Sequence, residues 1–323
     1  MAFQVEEMID RSRLRRKLSF WRIITLFVIA FMGVFVASSF GLFKDAGTAL
    51  PHIAKIRIEG TILEDEDLIE RLGKIAKSDT VKGLIVVIDS PGGTTVGGEA
   101  IFGELRTVAE RKPVVAQLGT LAASAGYMIA SAADHIVSRE TSIVGSIGVL
   151  AQFPDVSELM AKLGIRWEAI KSSPLKAEPN PFTPTTDDER AMMRAMIMDS
   201  YDWFVDLVAS RRPLTREEVL PLANGAVFTG RQALTNKLVD QLGGEREAIA
   251  WLHSKGVDET LQVIEWKPKE SSLPLSLAPF AQASLNPQAL GAILKQMGLD
   301  RFVLDGMVSV WHPDASFGGK SVR

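Results

Sequence analysis

Residues 81–89 (VKGLIVVID) constrain the fold of this chain more than any other stretch, because they are apolar almost without interruption. A strand with one wet face alternates, whereas a strand covered on both faces does not, so this run predicts a strand buried between two layers. Its neighbours supply those layers. Residues 52–59 alternate as a half-buried strand does, 65–77 and 97–112 carry helical spacing, and 114–118 read as a further buried strand. A small-residue helix over 124–133 and a short strand over 135–138 follow. Strands alternating with helices predict parallel βαβ units, an α/β fold whose sheet continues to a strand ending near Ile170.

From Thr186 the pattern changes. Thr186 and Glu189 have capping-box spacing, and Met193, Met196, Ile197, Phe204, Leu207 and Val208 share one face, so a long amphipathic helix is predicted to about Arg212. The Met-rich face over 192–208 exceeds what one small sheet needs to cover, and core packing and a subunit interface both remain open for it. Helices are predicted at 215–223, 230–236 and 245–254, with a last strand at 261–265. The domain then closes near Lys267. Residues 268–323 are Pro-, Ser- and Leu-rich, with one helical stretch after an Asn286 cap carrying Leu290, Ile293, Leu294 and Met297. A disordered tail, a membrane-surface helix and a docking arm all fit that pattern.

The N-terminus has a different character. Residues 23–43 hold no charged side chain, and at a helical rise of about 1.5 Å per residue they span a bilayer core. Arg11, Arg13, Arg15, Arg16, Lys17 and Arg22 precede the stretch, while only Lys44 and Asp45 follow closely. The positive-inside rule then places the N-terminus in the cytoplasm and the remainder across the membrane. A cleaved signal peptide, with Ala37-Ser38-Ser39 as its small residues, is the alternative, and it exports the remainder equally. The expected organisation is a basic cytoplasmic segment (1–22), one transmembrane helix (23–43), a linker (44–50), a catalytic domain (51–267) and a C-terminal extension (268–323).

Composition removes several kinds of chemistry. Thirty-six basic against 39 acidic residues leave a net charge of -3, which gives no global footprint for nucleic acid. There is no cysteine, hence no disulfide framework, thiol nucleophile or thiolate metal site. The imidazoles are His52, His135, His253 and His312, and their positions at strand starts or beside tryptophans read as structural. No cofactor or metal is implied.

Three segments could carry a reaction. Asp89-Ser90-Pro91-Gly92-Gly93 follows a strand and precedes a helix, where backbone N–H groups can line an oxyanion hole; an ordinary Pro-Gly turn fits equally. A phosphate loop lacks the Gly-Lys-Ser/Thr it would need. Ser124, in Leu121-Ala122-Ala123-Ser124-Ala125-Gly126, stands at a predicted helix N-terminus, where the macrodipole favours an alkoxide-like oxygen, although serine is also a common cap. Lys171 and Lys176 share a loop. A lysine replaces histidine as general base only where burial or positive neighbours favour its neutral form, and surface lysines are usually solvated.

Taken in order, Ser90 to Gly93, Ala122 to Gly126, Gly145-Ser146-Ile147-Gly148-Val149, Lys171 to Lys176, and Thr229-Gly230 through Leu238-Val239-Asp240-Gln241-Leu242-Gly243 resemble the signal peptide peptidase A family of Ser/Lys proteases. The resemblance covers about residues 51–260. It implies a crotonase-like or Clp-like parallel-sheet fold with Ser124 as nucleophile, Lys176 as base and Ser146 orienting the lysine. N–H groups near Gly92, Gly93 and Ser124 would form the oxyanion hole. It also implies short apolar peptides, such as remnant signal peptides, as substrates of a membrane-anchored serine endopeptidase in the bacterial inner membrane. A homo-oligomeric ring is implied too, in some forms of which serine and lysine come from neighbouring subunits. Ala125, Met128 and Asn236-Lys237 depart from the family pattern, and Met128 could alter the substrate pocket. The rivals are a quality-control protease for membrane proteins, a non-catalytic membrane scaffold and an acyl-CoA enzyme of crotonase type.

Overall fold

The computed structural model describes residues 48–268 and 308–310, together with 21–22, 24–29 and 31–32 near the N-terminus. Of the apolar stretch 23–43, the described positions 24–29 and 31–32 are helical and the rest lies outside the described residues. Among the described residues no helix is long and apolar enough to cross a membrane. The helical stretch expected after Asn286 also lies outside them.

From His52 onward the chain builds a largely parallel sheet. Strand β1 (His52–Ile62) leads through α1 (Glu66–Lys77) to β2 (Val81–Thr94), through α2 (Thr95–Ala109) to β3 (Val114–Ala123), and through α3 (Ala125–Ala130) to β4 (His135–Ser138). Asp65 caps α1 by accepting from the Leu68 N–H, and Thr94 caps α2 by accepting from the Gly97 N–H. Then come β5 (Ile143–Gly145), α4 (Ser157–Lys162), α5 (Asp187–Arg211), α6 (Arg216–Val219), β6 (Val227–Thr229), α7 (Gly230–Thr235), β7 (Gln241–Leu242), α8 (Glu245–Ser254), β8 (Val263–Glu265) and β9 (Val308–Val310). The strand order is β6-β5-β3-β2-β1-β8, with β4 joining β3 to β7 and β9 lying against β2. Only the β5–β6 and β2–β9 pairs among the described strands are antiparallel.

Both faces of β2 are covered, which is why its sequence does not alternate. Leu84, Val86 and Ile88 pack with Leu72 and Ile75 of α1 and Ile101 and Leu105 of α2. Ile85 and Val87 point the other way, onto Ala248 and Leu252 of α8 and Val257. Each such buried aliphatic is worth about 1.5–3 kcal/mol relative to exposure. The Thr186–Glu189 capping box is present and starts the long helix, α5, where expected. Its apolar face divides. Phe204, Val205, Leu207 and Val208 are buried in the core, whereas Met196 and Met198 are 47% and 40% exposed.

Two expectations need correction. The strand near Ile170 does not form: residues 164–170 are irregular, and Ile170 is 100% exposed. Its apolar residues face solvent in a single chain and have no neighbouring strand to pair with. Residues 89–93, expected as a turn, are strand, paired to β1 through Thr61–Gly92 and Ile62–Gly93. Glycine and proline have low strand propensity, so the pattern ends too early; cross-strand pairing overrides it.

Candidate active site

The central strands stop together, and the candidate residues stand where they stop. Beyond the Ile88–Leu118 pair, β3 places three residues, Gly119-Thr120-Leu121, opposite Asp89 before regaining register at Ser90–Ala122. Asp89 fixes this bulge. Its Oδ1 accepts the Leu121 N–H at 3.0 Å, and a methyl group on Gly119 would meet its carboxylate at 3.0 Å. Ser90 Oγ donates to the Gly60 carbonyl at 2.6 Å and accepts the Gly92 N–H at 3.1 Å, tying the end of β2 to the β1 bulge.

Ser124 follows β3 directly, in a conformation that regular structure does not use, φ 58° and ψ -120°. Its N–H donates to the Gly145 carbonyl at 2.8 Å and its own carbonyl accepts the Met128 N–H at 2.9 Å. The residue has no exposed surface. The following helix, α3, is six residues long rather than the ten of 124–133, so strain rather than an extended dipole distinguishes this serine. A left-handed non-glycine residue costs about 1–3 kcal/mol, and such residues concentrate at functional sites.

The same signature recurs at the other candidates. Positive φ occurs in four described non-glycine residues: Ser124, Ser146 (51°), Ala177 (60°) and Lys237 (59°). Ser146 is buried, its N–H donates to the Ala226 carbonyl at 2.8 Å, and it follows the Gly145 whose carbonyl holds Ser124. Ala177 follows Lys176. Ser124 and Ser146 are thus joined through one backbone hydrogen bond. Lys176 is exposed, and its amine makes no hydrogen bond or ion pair among the described residues. Lys171, the rival base, is ion-paired to the buried carboxylate of Glu178, which also accepts from Asn180 at 2.7 Å.

Of the three N–H groups named for the oxyanion hole, those of Gly92 and Ser124 are engaged with Ser90 Oγ and the Gly145 carbonyl. Gly93 admits no side chain: a methyl group there would lie 1.8 Å from the Ile62 carbonyl oxygen. Met128 is fully buried, with its sulfur 2.9 Å from where a Cβ on Gly98 would lie, so it packs α3 on α2. Two of the histidines pack against tryptophans, in keeping with a structural role, while His312 lies outside the described residues. His52 stacks on Trp266 and His135 on Trp251.

The Thr229-to-Gly243 motif is a brace, a role its residue types alone did not reveal. Asp240 accepts two bonds from the Arg212 guanidinium, at 2.9 and 2.7 Å, and Arg212 also donates to the Lys237 carbonyl. Tyr127, two residues into α3, donates to the Leu238 carbonyl at 2.8 Å, and burial pushes its phenol well above the ordinary value. Gly230 approaches the Arg139 carbonyl so closely that a Cβ would sit 1.9 Å away. These contacts hold the helix behind Ser124.

A strained serine at the end of a parallel strand, beside a Gly-Gly strand end in an α/β domain, is the arrangement of a serine-type peptidase. The model for the Clp protease family matches residues 48–143 and that for peptidase family S49 matches residues 106–258. A Synechocystis relative with a provisional protease name is 37% identical over 200 residues, 62% of this chain and 72% of the relative. A provisional signal peptide peptidase SppA of Enterococcus faecium is 30% identical over 237 residues, 69% of each chain. A Methanocaldococcus jannaschii relative, also provisionally a protease, is 36% identical over 203 residues, and the match spans 65% of its length. The chain belongs to the signal peptide peptidase A family, peptidase family S49.

Proposed function

We propose that this serine-type peptidase uses Ser124 as nucleophile and Lys176 as general base to cut short apolar peptides, remnant signal peptides among them, at a membrane face. The strained backbone of Ser124 at the end of β3 carries the reading. In the acylation step Lys176 Nζ takes the Ser124 Oγ proton as Oγ bonds to the scissile carbonyl carbon. The ammonium then returns the proton to the leaving amine as the C–N bond breaks. Water, deprotonated by the same amine, releases the acyl group and regenerates the serine. The developing oxyanion would be met by the N–H of Gly93 and of Ala125, since the Gly92 and Ser124 donors have other partners in this structure. Ser146 Oγ would accept from or donate to the lysine amine to orient it. A quality-control protease acting on membrane proteins shares this site and differs only in substrate.

The exposed Lys176 favours a dyad shared between subunits. Around it Ile165, Trp167, Ile170 and Leu175 are exposed, with Leu175 itself 40% exposed, and such apolar surface on one chain calls for a partner. An open groove of about 280 Å³, lined by Phe153, Met193, Ile197 and Met198 with Arg190 and Arg194, lies on the unburied half of α5 and would join the same interface. Residues 23–43 would anchor the assembly with its N-terminus in the cytoplasm and the peptidase domain outside, raising the local concentration of membrane-released peptides.

The decisive experiment digests a synthetic signal peptide with wild type and Ser124→Ala and labels both with a fluorophosphonate. Cleavage and labelling by wild type alone are expected. Equal cleavage by Ser124→Ala would assign the nucleophile elsewhere.

A further inference from the structure

The loop that carries Lys176 is held at two points. From residue 161 to 178 the run of exposed residues is broken only at Lys171 and Glu178. Their side chains form an ion pair, Lys171 Nζ on Glu178 Oε1, in which the carboxylate side chain is 4% exposed and that of the lysine 24%. The pair closes residues 172–177 into a loop, inside which the Lys176 N–H donates to the Ser173 carbonyl at 3.2 Å. Ala177, at φ 60°, turns the chain between the exposed Lys176 and the buried carboxylate of Glu178.

That carboxylate is in turn tied to the rest of the domain. Its Oε2 accepts from the Asn180 amide at 2.7 Å, and the same amide donates to Thr183 Oγ1 at 2.8 Å. Asn180 Oδ1 accepts the Phe182 N–H at 2.8 Å, which sets the orientation of the amide. The Pro181 carbonyl accepts the Val156 N–H at 2.8 Å beside α4, and the Phe182 ring lies 4.6 Å from that of Trp167. Just beyond Thr183, the Thr186 capping box opens α5, whose Phe204, Val205 and Val208 are buried in the core. Contacts therefore run from the core to Glu178, and the ion pair extends them to the far side of the loop. A carboxylate this buried is costly to leave without its cation, so the pair resists opening.

We propose that Lys171 and Glu178 are a positioning pair, a clamp that fixes the length and direction of the loop presenting Lys176 to Ser124. This role rests on the reading of Lys176 as general base, and it gives the second lysine of the loop a task other than proton transfer. Its importance follows from geometry: a misplacement of about 1 Å in a reacting constellation costs about 100-fold in rate.

Arginine separates the two roles open to Lys171. A guanidinium pairs with a carboxylate but does not give up its proton, so Lys171→Arg keeps a clamp and abolishes a base. Glu178→Gln keeps the side-chain volume and an acceptor for Asn180, and leaves no unpaired carboxylate in the interior. Lys171→Met opens the pair from its more exposed side. Each variant is made in the full-length assembled protein. The readouts are kcat and KM on a short apolar peptide, the rate of Ser124 labelling by a fluorophosphonate, and the melting temperature.

Glu178→Gln and Lys171→Met are each expected to lower kcat and the labelling rate by about 100-fold with KM within about twofold, while Lys171→Arg stays within about tenfold of wild type. The two losses should not add, because either change opens the same pair. In a Lys176→Ala background, Glu178→Gln should leave the residual labelling rate within about twofold, since its effect passes through a lysine already removed. A further large loss there would make Glu178 a packing residue and overturn the clamp. Wild-type kcat in Glu178→Gln beside an inactive Lys176→Ala would overturn the clamp and retain the base. An inactive Lys171→Arg beside an active Lys176→Ala would make Lys171 the base and remove both readings.

Discussion

Gly93→Ala tests the geometry on which the proposed site depends. An alanine methyl would lie 1.8 Å from the Ile62 carbonyl oxygen, 2.5 Å from the carbonyl carbon and 2.6 Å from the Ile62 nitrogen. A carbon–oxygen contact needs about 3.3 Å, so β1 and β2 must part by roughly 1.5 Å at the residue proposed to donate to the oxyanion. All three Ile62 atoms in conflict belong to paired backbone, so no side-chain rotation relieves the clash. Overpacking of this kind destabilises by about 1–3 kcal/mol. A misplacement of about 1 Å in a reacting constellation costs about 100-fold, and loss of one oxyanion donor about 100- to 1000-fold. The expected result is a folded protein with a lowered melting temperature and kcat/KM down by about 100-fold or more on a short fluorogenic peptide. Gly103→Ala is the matched control. Gly103 lies in α2 with nothing within 4 Å of the added methyl, so helix propensity should stabilise the protein by about 0.8–1 kcal/mol without changing kcat/KM. Wild-type kcat/KM in Gly93→Ala would refute the proposal that this strand end aligns the scissile carbonyl.

Asp240→Ala should cost about 3–5 kcal/mol in denaturant unfolding, because it strands the Arg212 guanidinium, whose side chain is only 4% exposed; a loss below about 1 kcal/mol would mean that water or another carboxylate replaces Asp240. Ser146→Ala should slow fluorophosphonate acylation of Ser124 by about 10- to 1000-fold with the fold intact, and an unchanged rate would reduce Ser146 to a packing residue. If the dyad is shared between subunits, Ser124→Ala and Lys176→Ala chains, each inactive alone, should regain part of the peptide hydrolysis on co-expression. Mixed assemblies verified by mass yet devoid of activity would place both groups in one chain.

The central sheet was legible because burial on both faces of β2 writes an unbroken apolar run, and Thr186 with Glu189 writes a helix start that tertiary context did not override. The strand ends were not. Gly92, Gly93 and the small residues after Leu118 look like turns because local propensity says so, yet pairing with β1 and β3 extends the strands through them. The stretch ending at Ile170 misled in the opposite direction. Its apolar residues read as core, but in one chain they face solvent, and sequence does not distinguish a residue buried by its own fold from one awaiting a neighbour. Family resemblance singled out Ser124 and Ser146. Their left-handed backbone, the physical feature they share, has no sequence signal in a serine, where a glycine at the same φ would have announced it.

Those two serines and the lysine differ in what holds them. Ser124 and Ser146 are clamped by main-chain hydrogen bonds to Gly145 and Ala226, so their positions are set once the sheet forms. Lys176 sits on an exposed loop with no side-chain partner among the described residues. A lysine serves as general base when its surroundings disfavour the ammonium, through desolvation or a neighbouring cation. In a single chain Lys176 is exposed to solvent, whereas its rival Lys171 is ion-paired to the carboxylate of Glu178. Apolar surface from a second copy, closing over Ile170, Leu175 and the open groove on α5, would supply the desolvation that the base requires. If Ser124 and Lys176 act as proposed, folding would prepare the nucleophile and assembly the base, and a chain released before it finds its partners would carry a positioned serine without the means to activate it.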